Sequence, residues 1–173
     1  MTTDGDLAVA LLGEGVVVGQ AAPDFACVVQ DPTTFELSTV MLADTPSTVR
    51  LFSVVPSLDT PVCSLQAVRF DAAVATLGDA VTAYTVSVDT PYAMGRFCRA
   101  KAVERLVSLS DYRPERAFGR AWGVLVEETG ELCRAVFIVD PAGSVTYAEY
   151  VSNTADHPDY DAGLAALQAA VAQ

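Results

Sequence analysis

Two β-rich segments of this chain each run directly into a helix-start signal, and no other feature constrains the fold as strongly. Residues 47–55 are rich in β-branched side chains, and they are followed by Thr60 and Pro61, a capping residue with proline at the first helical position. Residues 81–88 lead in the same way into a second Thr-Pro pair. Strands that alternate with helices in this manner are typical of a layered α/β domain.

The rest of the chain extends this alternation into a mixed central sheet flanked by helices. Turn residues 140–143 separate two β-rich segments, and the resulting hairpin makes part of the sheet antiparallel. We expect residues 1–14 to be a poorly ordered acidic tail and residues 15–173 to be a single domain, with an N-terminal β-hairpin or an irregular entry at residues 16–18 and 25–29. We predict strands at residues 47–55, 81–88, 106–109, 134–139 and 144–151, and helices at residues 61–77, 91–100, 116–122 and from 160 to the C-terminal end.

Composition and charge exclude several classes of function. With 173 residues, of which 51% are hydrophobic, the chain can bury enough apolar surface to offset the entropy cost of folding. Its net charge of −12 disfavours binding to nucleic acid or to an anionic membrane surface, because phosphate groups would repel it. No apolar run approaches the ~20 residues that span a bilayer, and the first basic residue is Arg50, so we expect no signal peptide and a cytoplasmic protein.

The cysteines are the residues of this chain best suited to redox or nucleophilic chemistry. They lie at positions 27, 63, 98 and 133, and no two of them form a C-x-x-C pair. That spacing disfavours a zinc ribbon and a thioredoxin-type dithiol centre. In the cytoplasm we expect these residues to be thiols at rest, and any disulfide between them to be transient.

Cys63 and Cys98 occupy informative positions in two predicted helices. If Thr60 is the N-cap, Cys63 lies in the first helical turn, where free backbone N–H groups and the helix dipole favour a thiolate. From position alone, Cys63 is either a reactive thiolate or a small buried hydrophobic residue. Cys98 is either the second thiol of a disulfide or a packed side chain. Since a disulfide needs Cα atoms within about 7 Å, joining the two helices would require local unwinding.

A motif spread over residues 53–63 connects this chain to a known family. Pro56, Thr60 and Cys63 form the pattern P-x-x-x-T-x-x-C within the longer string SVVPSLDTPVC. Further characteristic segments are RFC at residues 96–98, WGV at 122–124 and CRAVFIVD at 133–140. Together these motifs resemble those of the peroxiredoxins, and specifically of the bacterial thiol peroxidases. The resemblance extends from about Gly15 to the C-terminal end.

The resemblance implies a thioredoxin-like fold and a cysteine-dependent peroxidase. Cys63 would be the peroxidatic cysteine and Cys98 the resolving cysteine. Thr60 would hydrogen-bond the thiolate and the incoming peroxide, and Pro56 would shield the site from water. Arg134 would hold the thiolate and polarise the peroxide. A guanidinium suits that role, because it is always charged and presents several donors.

The resemblance also implies a reaction cycle and partners. The Cys63 thiolate would attack hydrogen peroxide or an organic hydroperoxide and become a sulfenic acid, with which Cys98 would condense in the same chain. A dithiol reductant, thioredoxin in the similar proteins, would then reduce the disulfide. The resemblance suggests a homodimer and implies no metal, flavin or haem cofactor.

Two features lie outside the shared motifs. Cys27 and Cys133 are interpreted as structural, and Cys133 should face away from Arg134 because neighbouring side chains of a strand point to opposite faces. Residues 96–120 hold seven basic and three acidic residues, a local charge of 7 − 3 = +4. This run is either a solvated helix face or a basic patch that steers an acidic redox partner.

Three other functions would use the same cysteines differently. A cysteine hydrolase would need a histidine base, and the only histidine, His157, is expected on the surface. A redox sensor would form the same disulfide but consume little peroxide. A one-cysteine peroxidase would leave Cys98 inert. The last two remain open from the sequence.

Overall fold

The computed structural model describes residues 2–173, and all elements below lie within that range. The strands are β1 (Thr2–Asp4), β2 (Leu7–Val9), β3 (Leu11–Leu12), β4 (Ala26–Gln30), β5 (Leu37–Met41), β6 (Val49–Val54), β7 (Val81–Ser87), β8 (Leu106–Ser110), β9 (Leu125–Val126), β10 (Ala135–Val139) and β11 (Val145–Tyr150). The α-helices are α1 (Pro61–Leu77), α2 (Pro91–Lys101), α3 (Ala117–Ala121) and α4 (Tyr160–Val171).

A seven-stranded mixed sheet in the order β11-β10-β6-β7-β8-β4-β5 is the scaffold of the molecule. Strands β6, β7 and β8 are parallel neighbours, whereas β10 runs antiparallel to β6, and β4 antiparallel to β8. The fully buried strands β6 and β10 have near-continuous apolar sequences because both of their faces are covered. The predicted mixed sheet flanked by helices is therefore confirmed.

The two faces of the sheet carry different layers. Helices α1, α2 and α4 pack on one face, where Phe70, Met94 and Leu167 join a common core. The other face is covered by α3 and the segment after it, around Trp122. The Trp122 ring stacks on that of Phe118, with 4.9 Å between centroids. The sheet thus separates the helical layer, which holds Cys63, from an aromatic core.

The N-terminal region differs from the sequence-based expectation. Residues 2–12 are not a poorly ordered tail, since they contain β1, β2 and β3; Met1 lies outside the described residues. The N-terminal hairpin is formed by β1 and β2, not by residues 16–18 and 25–29. The segment at 26–30 instead pairs with β5, which was not predicted, as part of the main sheet. Strands of three to five residues with mixed polarity give little periodic signal, and β1 and β4 also bond to segments that are distant in sequence, residues 152–154 and β8.

The remaining predicted elements agree with the structure to within a few residues. Helix α1 begins at Pro61 with Thr60 as its N-cap residue and ends before Gly78, as expected. Helix α2 likewise follows Thr90, whose side chain accepts a hydrogen bond from the Ala93 N–H. Among the described residues, no helix is both long and apolar enough to cross a membrane.

Candidate active site

Cys63 lies where a buried strand gives way to a helix. The chain leaves β6, passes through a short loop and enters α1, whose third residue is Cys63. The side chain is fully buried, and it shares the inner face of the helix with Gln66, Ala67 and Phe70. The first turn of a helix presents backbone N–H groups without intrahelical partners, so this position favours a negative charge on sulfur.

Arg134 brings a guanidinium group to that sulfur. It directly precedes β10, is only 2% exposed, and donates from Nη2 to the Cys63 Sγ at 3.3 Å. Because β10 pairs with β6, the start of one strand lies beside the end of the other, where α1 begins. A buried guanidinium in contact with sulfur stabilises the thiolate over the thiol.

Neutral acceptors hold the rest of the guanidinium. Its Nη1 donates to the Gln66 Oε1 at 2.8 Å, while Nε and Nη2 donate to the Thr154 carbonyl at 3.1 and 2.8 Å. Gln66 is itself anchored, since its Nε2 donates to the Ser53 Oγ of β6 at 2.8 Å. Neither ion pair found within residues 2–173 involves Arg134, so no carboxylate there neutralises its charge. The positive charge is therefore available to an anionic sulfur.

Gln66 and Thr154 were missed by the sequence analysis. A signal existed for Gln66, because a polar residue three positions after Cys63 falls on the same, otherwise apolar, face of the helix. Thr154 contributes only a main-chain carbonyl to Arg134, and a carbonyl has no residue-specific signature.

Tyr160, at the start of α4, lies close to Arg134 and Cys63. Burial raises the pKa of Tyr160; the positive charges of Arg69 and Arg134 oppose that rise, and a negative Cys63 adds to it. Its hydroxyl lies 3.0 Å from the Nδ1 of His157, which is exposed as expected. The site is therefore bordered by a phenol that burial keeps neutral.

Pro56 and Thr60 bracket the loop that leads to Cys63. Pro56 is half-buried and lies two residues after the end of β6. Thr60 is exposed, and its hydroxyl donates to the Ser57 carbonyl at 3.0 Å instead of to sulfur, which departs from the expected contact with the thiolate. A carbonyl oxygen is a stronger acceptor than a thiol, so it takes the single hydroxyl proton in this state.

Asp89 holds the same loop from the end of β7. Its carboxylate accepts hydrogen bonds from the Ser57 Oγ, the Leu58 N–H and the Ser87 Oγ, each at 2.8 Å. Because Thr90 and α2 follow immediately, one carboxylate ties the Cys63 loop to the beginning of the helix that carries Cys98.

Cys98 is a free thiol that forms a hydrogen bond with Ser108. Its Sγ lies 3.4 Å from the Ser108 Oγ of β8, and burial raises the pKa of the Cys98 thiol, an effect that this hydrogen bond opposes. It lines a cavity of about 570 Å³ between α2, β4 and β8. Cys63 is also a free thiol, and the structure does not join the two residues. That a disulfide between them would require local unwinding of a helix stays a prediction.

Cys27 and Cys133 are separate from this site. Both are fully buried in the aromatic core on the other face of the sheet. Burial raises the pKa of Cys133 to about 12 and that of Cys27 well above its ordinary value. The predicted opposition of Cys133 and Arg134 is confirmed, since one side chain faces the aromatic core and the other faces Cys63.

Comparison with known proteins identifies the family to which this site belongs. A family model described as Redoxin matches residues 17–164, which is most of the chain. The chain belongs to the Redoxin family. It is 45% identical over 161 residues to a thiol peroxidase of Halalkalibacterium halodurans, an alignment that covers 93% of both proteins. A thiol peroxidase of Bacillus subtilis is 43% identical over 163 residues, or 94% of this chain and 93% of the relative.

Solved structures agree with that assignment. A peroxiredoxin-like protein from Aquifex aeolicus superposes with a TM-score of 0.83 and 30% identity, covering 97% of this chain and 95% of the other. The thioredoxin-like fold expected from the sequence is confirmed. This Redoxin-family chain is a thiol-dependent peroxidase of the peroxiredoxin type, with a peroxide as substrate.

Proposed function

We propose that Cys63 is the peroxidatic cysteine of this Redoxin-family enzyme. The Cys63 thiolate attacks the terminal oxygen of hydrogen peroxide or an organic hydroperoxide, forms an S–O bond and breaks the O–O bond. The product is a sulfenic acid, and the leaving oxygen departs as hydroxide or alkoxide and takes up a proton. The contact of 3.3 Å between Arg134 Nη2 and Cys63 Sγ is the observation that carries this proposal.

Each surrounding residue has a separate role in this proposal. Arg134 stabilises the thiolate and the negative charge that develops on the leaving oxygen, for which no carboxylate partner in residues 2–173 competes. Thr60 turns its hydroxyl from the Ser57 carbonyl to the bound peroxide. Pro56 covers the end of β6 and limits the access of water to the sulfenic acid.

Cys98 is the resolving cysteine in the same proposal. Its thiol condenses with the Cys63 sulfenic acid, so that an S–S bond forms and one water molecule leaves. Helix α2 must open first, and its composition suits that step: it has only 11 residues, and Gly95 lies in its interior. An internal glycine weakens a helix by about 1 kcal/mol relative to alanine.

A dithiol protein such as thioredoxin completes the cycle. It reduces the Cys63–Cys98 disulfide to two thiols and is itself oxidised to a disulfide. Exposed basic side chains on and just after α2, including Arg99, Lys101 and Arg105, suit an acidic reductant.

We also propose a cytoplasmic location for the enzyme, because thiols are kept reduced there. A homodimer rests on the resemblance, and light scattering at several concentrations tests it.

Turnover with thioredoxin, thioredoxin reductase and NADPH tests the cycle. We expect the unmodified enzyme to consume hydroperoxide continuously, and Cys63→Ser to consume none. Cys98→Ser should form one sulfenic acid per chain and then stop. Cys27→Ala is the matched control and should retain turnover. Sustained turnover by Cys98→Ser would instead indicate a one-cysteine peroxidase, and oxidation of Cys63 without turnover in the unmodified chain would indicate a redox sensor.

A further inference from the structure

The N-terminal hairpin is fastened to a segment that follows β11. The Thr3 N–H donates to the Ser152 carbonyl at 2.8 Å, and the Thr154 N–H donates to the Thr3 carbonyl at 2.9 Å. The Thr154 hydroxyl donates to the Asp4 carboxylate at 2.6 Å. Residues 152–154 therefore lie against β1 like a further short strand.

The same segment supplies the carbonyl that holds Arg134. Thr154 is 5% exposed, and its carbonyl oxygen accepts both the Nε and the Nη2 of Arg134. Nη2 is also the nitrogen that donates to the Cys63 Sγ. A displacement of this carbonyl would therefore move the donor that contacts sulfur.

The hairpin also fixes the orientation of that carbonyl. The Thr154 carbonyl and the Ala155 N–H belong to one planar peptide unit. The Ala155 N–H donates to the Asn153 Oδ1 at 3.0 Å, and the Asn153 Nδ2 donates to the Gly5 carbonyl of the hairpin turn at 3.2 Å. The hairpin thus holds the peptide unit from its N–H side, while Arg134 binds its carbonyl side.

We propose that the β1–β2 hairpin is a positioning element for Arg134, acting through the Thr154 carbonyl. This rests on the proposed role of Arg134 beside Cys63. The hairpin touches neither the sulfur nor the peroxide; it sets the direction from which the guanidinium approaches them. Displacing a positioned group by about 1 Å costs as much as 100-fold in rate, so loosening the hairpin should slow the reaction of Cys63 with peroxide.

The strand register identifies a substitution that breaks the contact between the hairpin and residues 152–154 and leaves the hairpin itself intact. Because Thr3 directs its N–H and carbonyl to residues 152–154, the bonds between β1 and β2 fall on its neighbours, Thr2 with Val9 and Asp4 with Leu7. Thr3→Pro therefore removes the bond to Ser152 without removing one within the hairpin. Ala8→Pro is the matched control, because Ala8 lies directly opposite Thr3 and is exposed.

The experiment measures the second-order rate constant for oxidation of Cys63 by hydrogen peroxide in a single turnover. We expect Thr3→Pro to lower it about tenfold and Ala8→Pro to change it less than about twofold. In an Arg134→Gln background, Thr3→Pro should have no further effect, because it acts through Arg134. Equal losses in the two proline variants, or an undiminished loss in the Arg134→Gln background, would overturn the inference.

A second pair of variants covers the case in which Thr3→Pro does not fold. Thr154→Val removes the hydroxyl that donates to Asp4 while keeping the shape of the side chain, and Thr154→Ser restores it. We expect the valine variant to be several-fold slower and the serine variant to recover; equal rates for both would overturn the inference. If Cys63 of the unmodified chain does not react with peroxide at all, the proposed function itself fails, whereas a reactive chain that is indifferent to these substitutions overturns only the role of the hairpin.

Discussion

At the scale of single residues, the partners of Arg134 fix its guanidinium beside Cys63 and leave its charge uncancelled. Burying a charge is costly unless the surroundings compensate it, and here Gln66 and a main-chain carbonyl do so with neutral dipoles. Neutral partners satisfy the N–H groups of the guanidinium without cancelling its charge. Cys63 therefore meets a cation that is fixed in place but still unneutralised.

Arg134→Gln tests this arrangement directly. The substitution removes the charge and keeps a donor of similar size, so we expect the rate constant of Cys63 with hydrogen peroxide to fall by about 10² to 10³. Arg113→Gln, at an exposed arginine, is the control and should leave the rate unchanged. Stopped-flow measurement of peroxide consumption in a single turnover provides the comparison. A rate for Arg134→Gln within twofold of the unmodified enzyme would show that the charge plays no part.

The sequence predicted which residues surround Cys63 better than it predicted their hydrogen bonds. Cys63, Pro56 and Thr60 are carried by one local motif, and their placement around the start of α1 followed from helix-capping signals. The hydroxyl of Thr60 nevertheless bonds the Ser57 carbonyl, a local choice that the motif does not encode. The Thr154 carbonyl was not predictable, because a main-chain contact between segments 20 residues apart depends on tertiary structure.

At the scale of elements, α2 is the part that must change shape in the proposed cycle. It carries Cys98, whose sulfur bonds Ser108 of β8 and not Cys63. Gly95 in its interior lowers the cost of opening. The short terminal strands were not predicted, since β1 and β2 have three residues each and β1 also bonds to a segment about 150 residues away, for which local periodicity carries no information.

Two substitutions in α2 should shift the disulfide step in opposite directions. Gly95→Ala strengthens the helix by about 1 kcal/mol, and its added Cβ would meet only movable side-chain ends, the nearest being the Gln30 Oε1 at 2.8 Å. Disulfide formation should therefore slow about fivefold. Ala100→Gly, at an exposed position of the same helix, should accelerate it. Rapid-quench alkylation separates this step from oxidation of Cys63, which both variants should leave unchanged; an equal change in both steps would contradict a role for helix opening.

At the scale of the whole molecule, the sheet separates a core that stabilises the fold from the face that carries the candidate active site. The aromatic core around Trp122 lies on one face, and Cys63 with its partners lies on the other. The order of strands and helices in this scaffold was predictable, because buried strands and capped helices leave strong local signals. The pairing of β4 with β8 was not, since it joins strands that lie far apart in the sequence, and the local hairpin of β4 and β5 was missed because β5 is short and of mixed polarity.

Gly119→Ala tests that separation. A Cβ on Gly119 would lie 2.7 Å from the Leu132 Cδ2 and 3.0 Å from the Leu125 Cβ, in the core opposite the site. Such overpacking should lower the free energy of unfolding by about 1–3 kcal/mol. Urea denaturation measures the loss, and the peroxide rate constant well below the unfolding transition should not change. A rate that falls together with stability would show that the two faces are coupled.

The measurement that tests the central claim most directly is a peptide map of the protein after one equivalent of hydrogen peroxide, followed by an alkylating quench in denaturant. We predict one disulfide within each chain, between Cys63 and Cys98, with Cys27 and Cys133 recovered as alkylated thiols because burial keeps them protonated. Recovery of Cys63 as an unoxidised, alkylated thiol would contradict the claim that it is the residue that reduces the peroxide.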